Sequence, residues 1–436
     1  MIISLIKKII PKPVIQFYHF LLAFLGALIF GFPSFSGKIK IIGVTGTNGK
    51  TSVIEMINQI FEEAKFKTSL SSSLHFKIDK KEQFNTLRMT TPGRFFLQKF
   101  LKKSISSGCQ YAILEITSEG IKQYRHKFIK FDIAVFTNLF PEHIESHGSF
   151  ENYKKAKGQL FAATKDIHII NFDDENSNYF LQFPAKEKWL YTFGDIKEND
   201  IKNNNWKLVK AKIISDGYPL IFSIDNIVFR LNLIGVFNIY NALCAISTAL
   251  SQGISLETCQ KALEKFNGVP GRMEKVIDQP FKVFVDYAFT PQALEKVYQT
   301  LSSNFKVQGS RLICVLGAAG GGRDKWKRPI LGEIAAKYCQ EIIITNEDPY
   351  DEDPAEIINQ VANGAQNADI NHQKPIIHKI LDRREAIYQA LKIAKEGDIV
   401  VITGKGCEPS IVIKGKKIPW DDRKVAREEF EKLMTK

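Results

Sequence analysis

The sequence predicts an α/β protein with two parallel-sheet halves, and three observations carry the prediction. Short β-branched runs alternate with helical stretches along most of the chain, as in sheets covered by helices. A glycine-rich turn joins the first such run to a helix. The alternation restarts near residue 282, beyond the loop Asn267-Gly268-Val269-Pro270-Gly271, which reads as a hinge. With 436 residues, 44% of them hydrophobic, the chain can bury several cores and should form two or three domains. Disordered and fibrous classes are thereby excluded.

Taken in order, residues Val14 to Phe32 come first: 19 residues without a formal charge, close to the ~20 that cross a bilayer. No small-x-small cleavage site follows, so a signal peptide fits poorly. A spanning helix, a helix lying on the membrane surface and a helix packed on the protein itself all stay open. Lys7, Lys8 and Lys12 before it and Lys38 and Lys40 after it give no orientation signal, and Gln16 and His19 lie inside it. Lys38 to Val44 then reads as a strand, followed by a glycine turn and a helix from Thr51 to about Lys65. Tyr111 to Ile116 and Asp132 to Thr137 read as strands of the same sheet. Trp206 to Leu233 changes to two or three strands around turn residues such as Asp216-Gly217, the pattern of a small antiparallel insert. The second half offers strands at Lys282 to Val285, Leu312 to Leu316, Glu341 to Thr345 and Asp398 to Thr403.

The formal charge of +13 suits an anionic partner, but the excess is spread thinly, so nucleic acid is not favoured. Six cysteines (Cys109, Cys244, Cys259, Cys314, Cys339 and Cys407) lie far apart with no C-x-x-C pair, which fits a reducing cytoplasm better than a disulfide framework or a zinc ribbon.

The strongest chemical signal is Gly46-Thr47-Asn48-Gly49-Lys50-Thr51, set between strand and helix where a phosphate loop belongs. Backbone N–H groups and the helix start would hold the β- and γ-phosphates, Lys50 would neutralise them and Thr51 would bind magnesium. The strict G-x-x-x-x-G-K-T spacing is not met, because Val44 stands six before Lys50. Glu115 ends an apolar strand, where a carboxylate can serve as a hard oxygen ligand for magnesium. The stretch from Thr137 to Gly148 gathers Glu142, His143, Glu145 and His147; alone it reads as a zinc site or a solvated loop, and beside the phosphate loop as part of a nucleotide and metal site.

These residues resemble the Mur ligase family, most closely its UDP-N-acetylmuramyl-tripeptide synthetase type. The resemblance runs from Lys38 to the C-terminal end. It is carried by Thr45-Gly46-Thr47-Asn48-Gly49-Lys50-Thr51, Thr90-Thr91-Pro92, Glu115-Ile116-Thr117-Ser118, Thr137-Asn138-Leu139, Tyr153-Lys154-Lys155-Ala156-Lys157, Gly268-Val269-Pro270-Gly271-Arg272-Met273-Glu274, Asp286-Tyr287-Ala288, Gly322-Arg323-Asp324-Lys325, Gly404-Lys405-Gly406 and Asp421-Asp422-Arg423. It implies that residues 1–37 stand in place of the family's UDP-binding domain, that 38–268 form the ATP-binding domain and that 269–436 form a C-terminal Rossmann-like domain.

The resemblance further implies a cytoplasmic ATP- and magnesium-dependent ligase of peptidoglycan synthesis, joining an amino acid to a UDP-N-acetylmuramyl-peptide through an acyl phosphate. By motif, Thr51, Glu115, His143 and a carbamylated Lys157 would surround magnesium. Asn241, Arg272 and Asp286 would hold ATP beside the phosphate loop; Thr90, Thr91, Ser118 and Arg125 would meet the acceptor; Arg323, Gly404 and Glu408 would hold the incoming amino acid. Departures stand at Glu119, Glu142, Glu145, Phe289 and Cys407, and Tyr350 replaces the arginine expected where diaminopimelate is selected. The competing readings are a membrane-anchored phosphate-loop ATPase and a folylpolyglutamate-synthetase-like ligase.

Overall fold

The computed structural model describes residues 11–87, 89–196, 206–305, 309–370 and 373–435. Lys7 and Lys8, which enter the reading of the N-terminal segment, lie outside them. The first described helix, α1 (Lys12–Phe30), ends where Gly31 turns left-handed at φ 73°, a backbone that glycine adopts without a Cβ penalty.

The first sheet has eleven strands: β1 (Lys40–Thr45), β2 (Thr68–Ser71), β3 (His75–Ile78), β4 (Lys81–Phe84), β5 (Tyr111–Glu115), β6 (Ile133–Phe136), β7 (Ile167–Asn171), β8 (Glu187–Thr192), β9 (Trp206–Ser215), β10 (Leu220–Ile224) and β11 (Ile227–Leu231). Their order is β11-β10-β9-β8-β7-β6-β1-β5-β2-β3-β4. The expected antiparallel insert forms as β9–β11, but it is not a separate unit: β9 also pairs parallel with β8 and so extends the main sheet. β1 is central and, from Ile41 onward, buried throughout, which is why it reads as an unbroken apolar run. Gly43 lets Phe131 and Leu160 press against it; a Cβ there would lie 2.8 Å from the Phe131 ring.

Helices α2 (Lys50–Glu63), α3 (Arg94–Ser106), α4 (Ser118–Lys122), α5 (Phe150–Ala163) and α6 (Phe237–Leu250) follow one another along the chain; α2 buries Val53, Ile54, Ile57, Ile60 and Phe61 against one face of this sheet, together with α6. Helices α3 and α5 cover the other face, around Leu97, Leu101, Leu160 and Phe161. The result is a three-layer α/β/α sandwich, as the alternation predicted.

The second sheet comprises β12 (Glu274–Ile277), β13 (Lys282–Asp286), β14 (Leu312–Leu316), β15 (Glu341–Ile344), β16 (Ile376–Lys379) and β17 (Ile399–Thr403). Its order is β12-β13-β17-β14-β15-β16, parallel except at β12. Helix α7 (Lys327–Tyr338) lies on one face. A hairpin of β18 (Ser410–Ile413) and β19 (Lys416–Pro419) hangs from the end of the sheet and bridges to Tyr350. Strands β1, β5 and β6 are adjacent, so their carboxyl ends open on one crevice, and the second sheet faces that crevice.

Candidate active site

Gly46 to Gly49 form the turn between β1 and α2. Gly46 has no room for a side chain, since a Cβ would collide with the Thr137 hydroxyl, and Gly49 sits left-handed at φ 81° against Asn241. Thr137 and Asn138, at the end of β6, fix the loop. The Thr47 amide donates to the Asn138 carbonyl at 2.8 Å, the Asn48 amide to Asn138 Oδ1 at 2.9 Å, and Thr137 Oγ1 to the Asn48 carbonyl at 2.7 Å. Lys50 folds back on the loop, donating to the carbonyls of Gly46 at 3.2 Å and Thr47 at 2.9 Å. Its ammonium is 4.0 Å from Glu115, and burial lowers its pKa.

Glu115 ends β5 and accepts from the Thr51 hydroxyl at 3.2 Å and the Ser73 amide at 2.9 Å, while Thr51 and Ser73 share a 2.9 Å bond. This knot of hard oxygens fits a magnesium ion on the nucleotide side. Ser73 was not singled out from the sequence; it arrives from the β2–β3 connection, far from any motif.

Lys157, on α5, is buried with its ammonium 2.7 Å from the Gly46 carbonyl and 4.6 Å from the Tyr153 ring centre. Burial, reinforced by Lys50, holds its pKa well below the ordinary lysine value. A buried lysine amine that loses its proton readily is the species that can add carbon dioxide, so the residue fits a carbamylated ligand. His143 stands at φ 57°; burial first, then Arg323 and Lys157, push its pKa down to about 3, leaving a neutral imidazole facing the cleft.

The remainder of the Glu142–His147 cluster disperses. Glu142 pairs with Lys327 at 2.9 Å across the two halves, the Glu145 carboxylate accepts the Lys325 amide at 2.9 Å, and His147 lies 3.2 Å from Glu119. Among the described residues no three His, Cys, Asp or Glu side chains converge on a metal position, which corrects the zinc-site reading of this stretch. The loop is solvated at Glu145 and Ser146 but anchored: Asp324, accepting from the amides of Ile144 and Glu145, clasps it to the second half. Glu119 holds the loop from the first half, accepting from Ser146 and lying against His147. Burial alone would raise it, but hydrogen bonds from His147 and Ser146 prevail and bring it to about 2.

From the second half, Arg272 lies 4.1 Å over the Tyr287 ring, and Asp286 is occupied by the amides of Met273 and Ala288, both at 2.6 Å. Asp286 therefore shapes the hinge turn that presents Arg272. Tyr287 donates to Glu408 at 2.7 Å, and Lys405, wholly buried, bonds Asp348 at 2.9 Å and also reaches Glu408. Arg323 and Tyr350 line the same end.

On the first half, Thr91 is saturated by the Glu115 carbonyl at 2.8 Å and by Thr117, and Arg125 donates to the Thr91 carbonyl and, at 2.8 Å, to Gln123. Thr91 thus braces the loop on which Thr90 is presented, while Ser118 opens α4 beside it. Of the residues to which the resemblance gives a role in binding or catalysis, Gly404 alone does not line the cleft. It has φ 103° and gives way to the Glu347 carboxylate, which a Cβ would approach to 2.6 Å.

The cleft has a volume of about 1220 Å³ and is bounded by both halves. A phosphate loop with a magnesium-type carboxylate on one half, closed by arginines and carboxylates from a second α/β half, defines an ATP-dependent ligase that forms amide bonds. Comparison with known proteins agrees: the sequence models "Mur ligase middle domain" and "Mur ligase, glutamate ligase domain" match residues 44–249 and 271–406. A UDP-N-acetylmuramoyl-L-alanyl-D-glutamate–2,6-diaminopimelate ligase of Syntrophomonas wolfei is 39% identical over 93% of this chain and 81% of its own. A UDP-N-acetylmuramyl-tripeptide synthetase of a Roseiflexus species is 35% identical over 94% and 82%. A solved structure of a diaminopimelate ligase of the same description is 29% identical, with a TM-score of 0.59 over 91% of this chain and 79% of that one. The chain belongs to the Mur ligase family.

Proposed function

We propose that this ligase joins an amino acid of the diamino class to the terminal carboxylate of a UDP-N-acetylmuramyl-peptide in peptidoglycan synthesis. The observation that carries the reading is the single cleft in which Lys50, Thr51, Glu115 and Lys157 face Arg272, Arg323 and Glu408. We assign residues 38–268 to the nucleotide half and 269–436 to the half that brings the amine.

A carboxylate is a poor electrophile, so it must first be activated; attack on the γ-phosphate yields an acyl phosphate, ADP departs, and the amine then displaces phosphate. Loop amides and Lys50 hold the transferring phosphate, and Arg272 adds positive charge from across the hinge. Thr51, Ser73, Glu115, neutral His143 and carbamylated Lys157 would hold magnesium, which supplies charge neutralisation at the phosphates. Thr90, Ser118 and Arg125 would orient the acceptor, with Thr91 bracing them. Arg323 would take the amino acid's carboxylate and Glu408 its distal ammonium, the latter kept in place by Tyr287 and Lys405.

Isotope transfer tests the activated intermediate. With acceptor labelled by ¹⁸O in its reacting carboxylate, one labelled oxygen should appear in the released phosphate. Product formed with unlabelled phosphate would exclude the acyl phosphate.

A further inference from the structure

We infer that α1 seats this enzyme on an anionic phospholipid bilayer, lying along the surface with the acceptor end of the cleft beside it. The proposal goes beyond the ligase reading and uses it only to say which end of the cleft meets the lipid.

Helix α1 is divided lengthwise. Ala23, Gly26 and Ala27, spaced i, i+3 and i+4, are its buried residues, and Gly26 lets the helix close onto the Arg94–Phe95 backbone of α3. Phe20 and Phe24 pack edge-on against Phe128, with ring centres 5.2 and 5.5 Å apart. The opposite face is apolar and uncovered: Phe17 is 66% exposed, Leu28 54% and Ile29 63%, with Leu21 and Leu25 between them. A run of exposed large apolar side chains along one helix face is unusual on a soluble surface and marks an interaction site.

Charge identifies the occupant. The segments around α1, namely residues 11–37 themselves, α3 with residues 94–106, and residues 120–131 that carry Phe128, hold no Asp or Glu, the last being bounded by Glu119 and Asp132. Lys99, Lys102 and Lys103 are exposed on α3, and Lys127 and Lys130 flank Phe128. An apolar helix face with a lysine rim and no carboxylate complements an anionic interface, where aliphatic and aromatic side chains enter the acyl boundary and lysines meet headgroup phosphates. A second copy of the chain would set this lysine rim against itself.

Orientation follows from the packing. Helix α1 lies on α3 and Phe128, contacts that a spanning helix surrounded by lipid would have to surrender. Its polar link points at the site: Arg94 bonds His19 at 2.6 Å and also donates to the Gln123 carbonyl, and the Gln123 side chain meets Arg125 on the cleft wall.

Flotation of the full chain with phosphatidylcholine vesicles, with and without phosphatidylglycerol, tests the proposal. Binding is expected with the anionic vesicles, falling as ionic strength rises. The variant F17D/L21D/L28D should stay in solution, and K99E/K102E/K103E should bind about tenfold more weakly or worse, while both retain ligation of a soluble acceptor. The proposal is overturned by absence of wild-type binding, by binding that ignores both variants, or by a lipid-free dimer that F17D/L21D/L28D dissociates. Because ligation is assayed separately, its failure would be distinguishable from failure of the membrane seat.

Discussion

Replacing Lys327 by methionine should uncouple the two halves of the enzyme. Lys327 and Glu142 are 2.9 Å apart with side chains only 3% and 4% exposed, and Glu142 Oε2 has no hydrogen-bond partner among the described residues. Burial already raises the Glu142 pKa, with Lys327 the leading opposing influence. Removing the lysine leaves a buried carboxylate without its counter-ion, which costs about 3–5 kcal/mol when the site stays closed. If closure is required for turnover, kcat/KM for ligation should fall roughly 10²- to 10⁴-fold. The defect carries its own pH signature. A carboxyl group whose pKa is raised in the closed state binds a proton on closing, so closure weakens as pH rises from the open-state value towards the raised one. K327M should therefore be least impaired at low pH. The double variant E142Q/K327M, with neither charge, should recover to within about tenfold of wild type. Steady-state ADP release and small-angle scattering would follow turnover and opening. A K327M enzyme within threefold of wild type at every pH, or a double variant no better than K327M, would refute the coupling.

Three further outcomes are expected. Lys157 should carry a carbamate in crystals grown near neutral pH with bicarbonate present, and K157A should be weakly active and partly rescued by small carboxylates; an unmodified amine in the nucleotide-bound crystal and no rescue would contradict this. With Tyr350 where an arginine would pair with the second carboxylate, diaminopimelate should not be strongly preferred over lysine, and a competition ratio of about a hundredfold or more would count against that, a buried unpaired carboxylate being worth several kcal/mol. Glu55 beside His75 is raised by burial to about 8, so it is protonated when folded and ionised when unfolded across the interval from the ordinary glutamate value to about 8, and stability is lost as pH rises through that interval. E55Q should remove this loss, gaining roughly 2–4 kcal/mol over wild type at pH 9 relative to pH 5, measured by denaturant unfolding; a pH-independent difference would refute it.

The parts legible in the sequence are those whose meaning is local. Gly46 to Thr51 can be read because turn, lysine and helix start are contiguous, and Glu115 because it closes a buried strand. Contacts made by topology are not legible. Ser73 reaches Glu115 from the β2–β3 connection, and nothing near it in sequence signals an oxygen site. Glu142 looks like a metal ligand beside His143, yet its partner is Lys327, 185 residues away on the other half. Gly404 and Thr91 carry family motifs whose first duty is geometric, one yielding space to Glu347 and the other tying a loop to β5. The N-terminal segment divides likewise: its apolar character is plain in the sequence, but the small-residue stripe that packs and the large-residue face that does not are separated only by the partner helix α3.

The most direct test is phosphate release from ATP, measured with and without UDP-N-acetylmuramyl-dipeptide and a panel of amino acids. Release should require the acceptor, rise further with a diamino acid, match amide product one for one, and disappear in K50A and E115A variants that remain folded by circular dichroism. Phosphate release that continues unchanged without acceptor and amine would contradict a ligase and return the chain to the class of phosphate-loop ATPases.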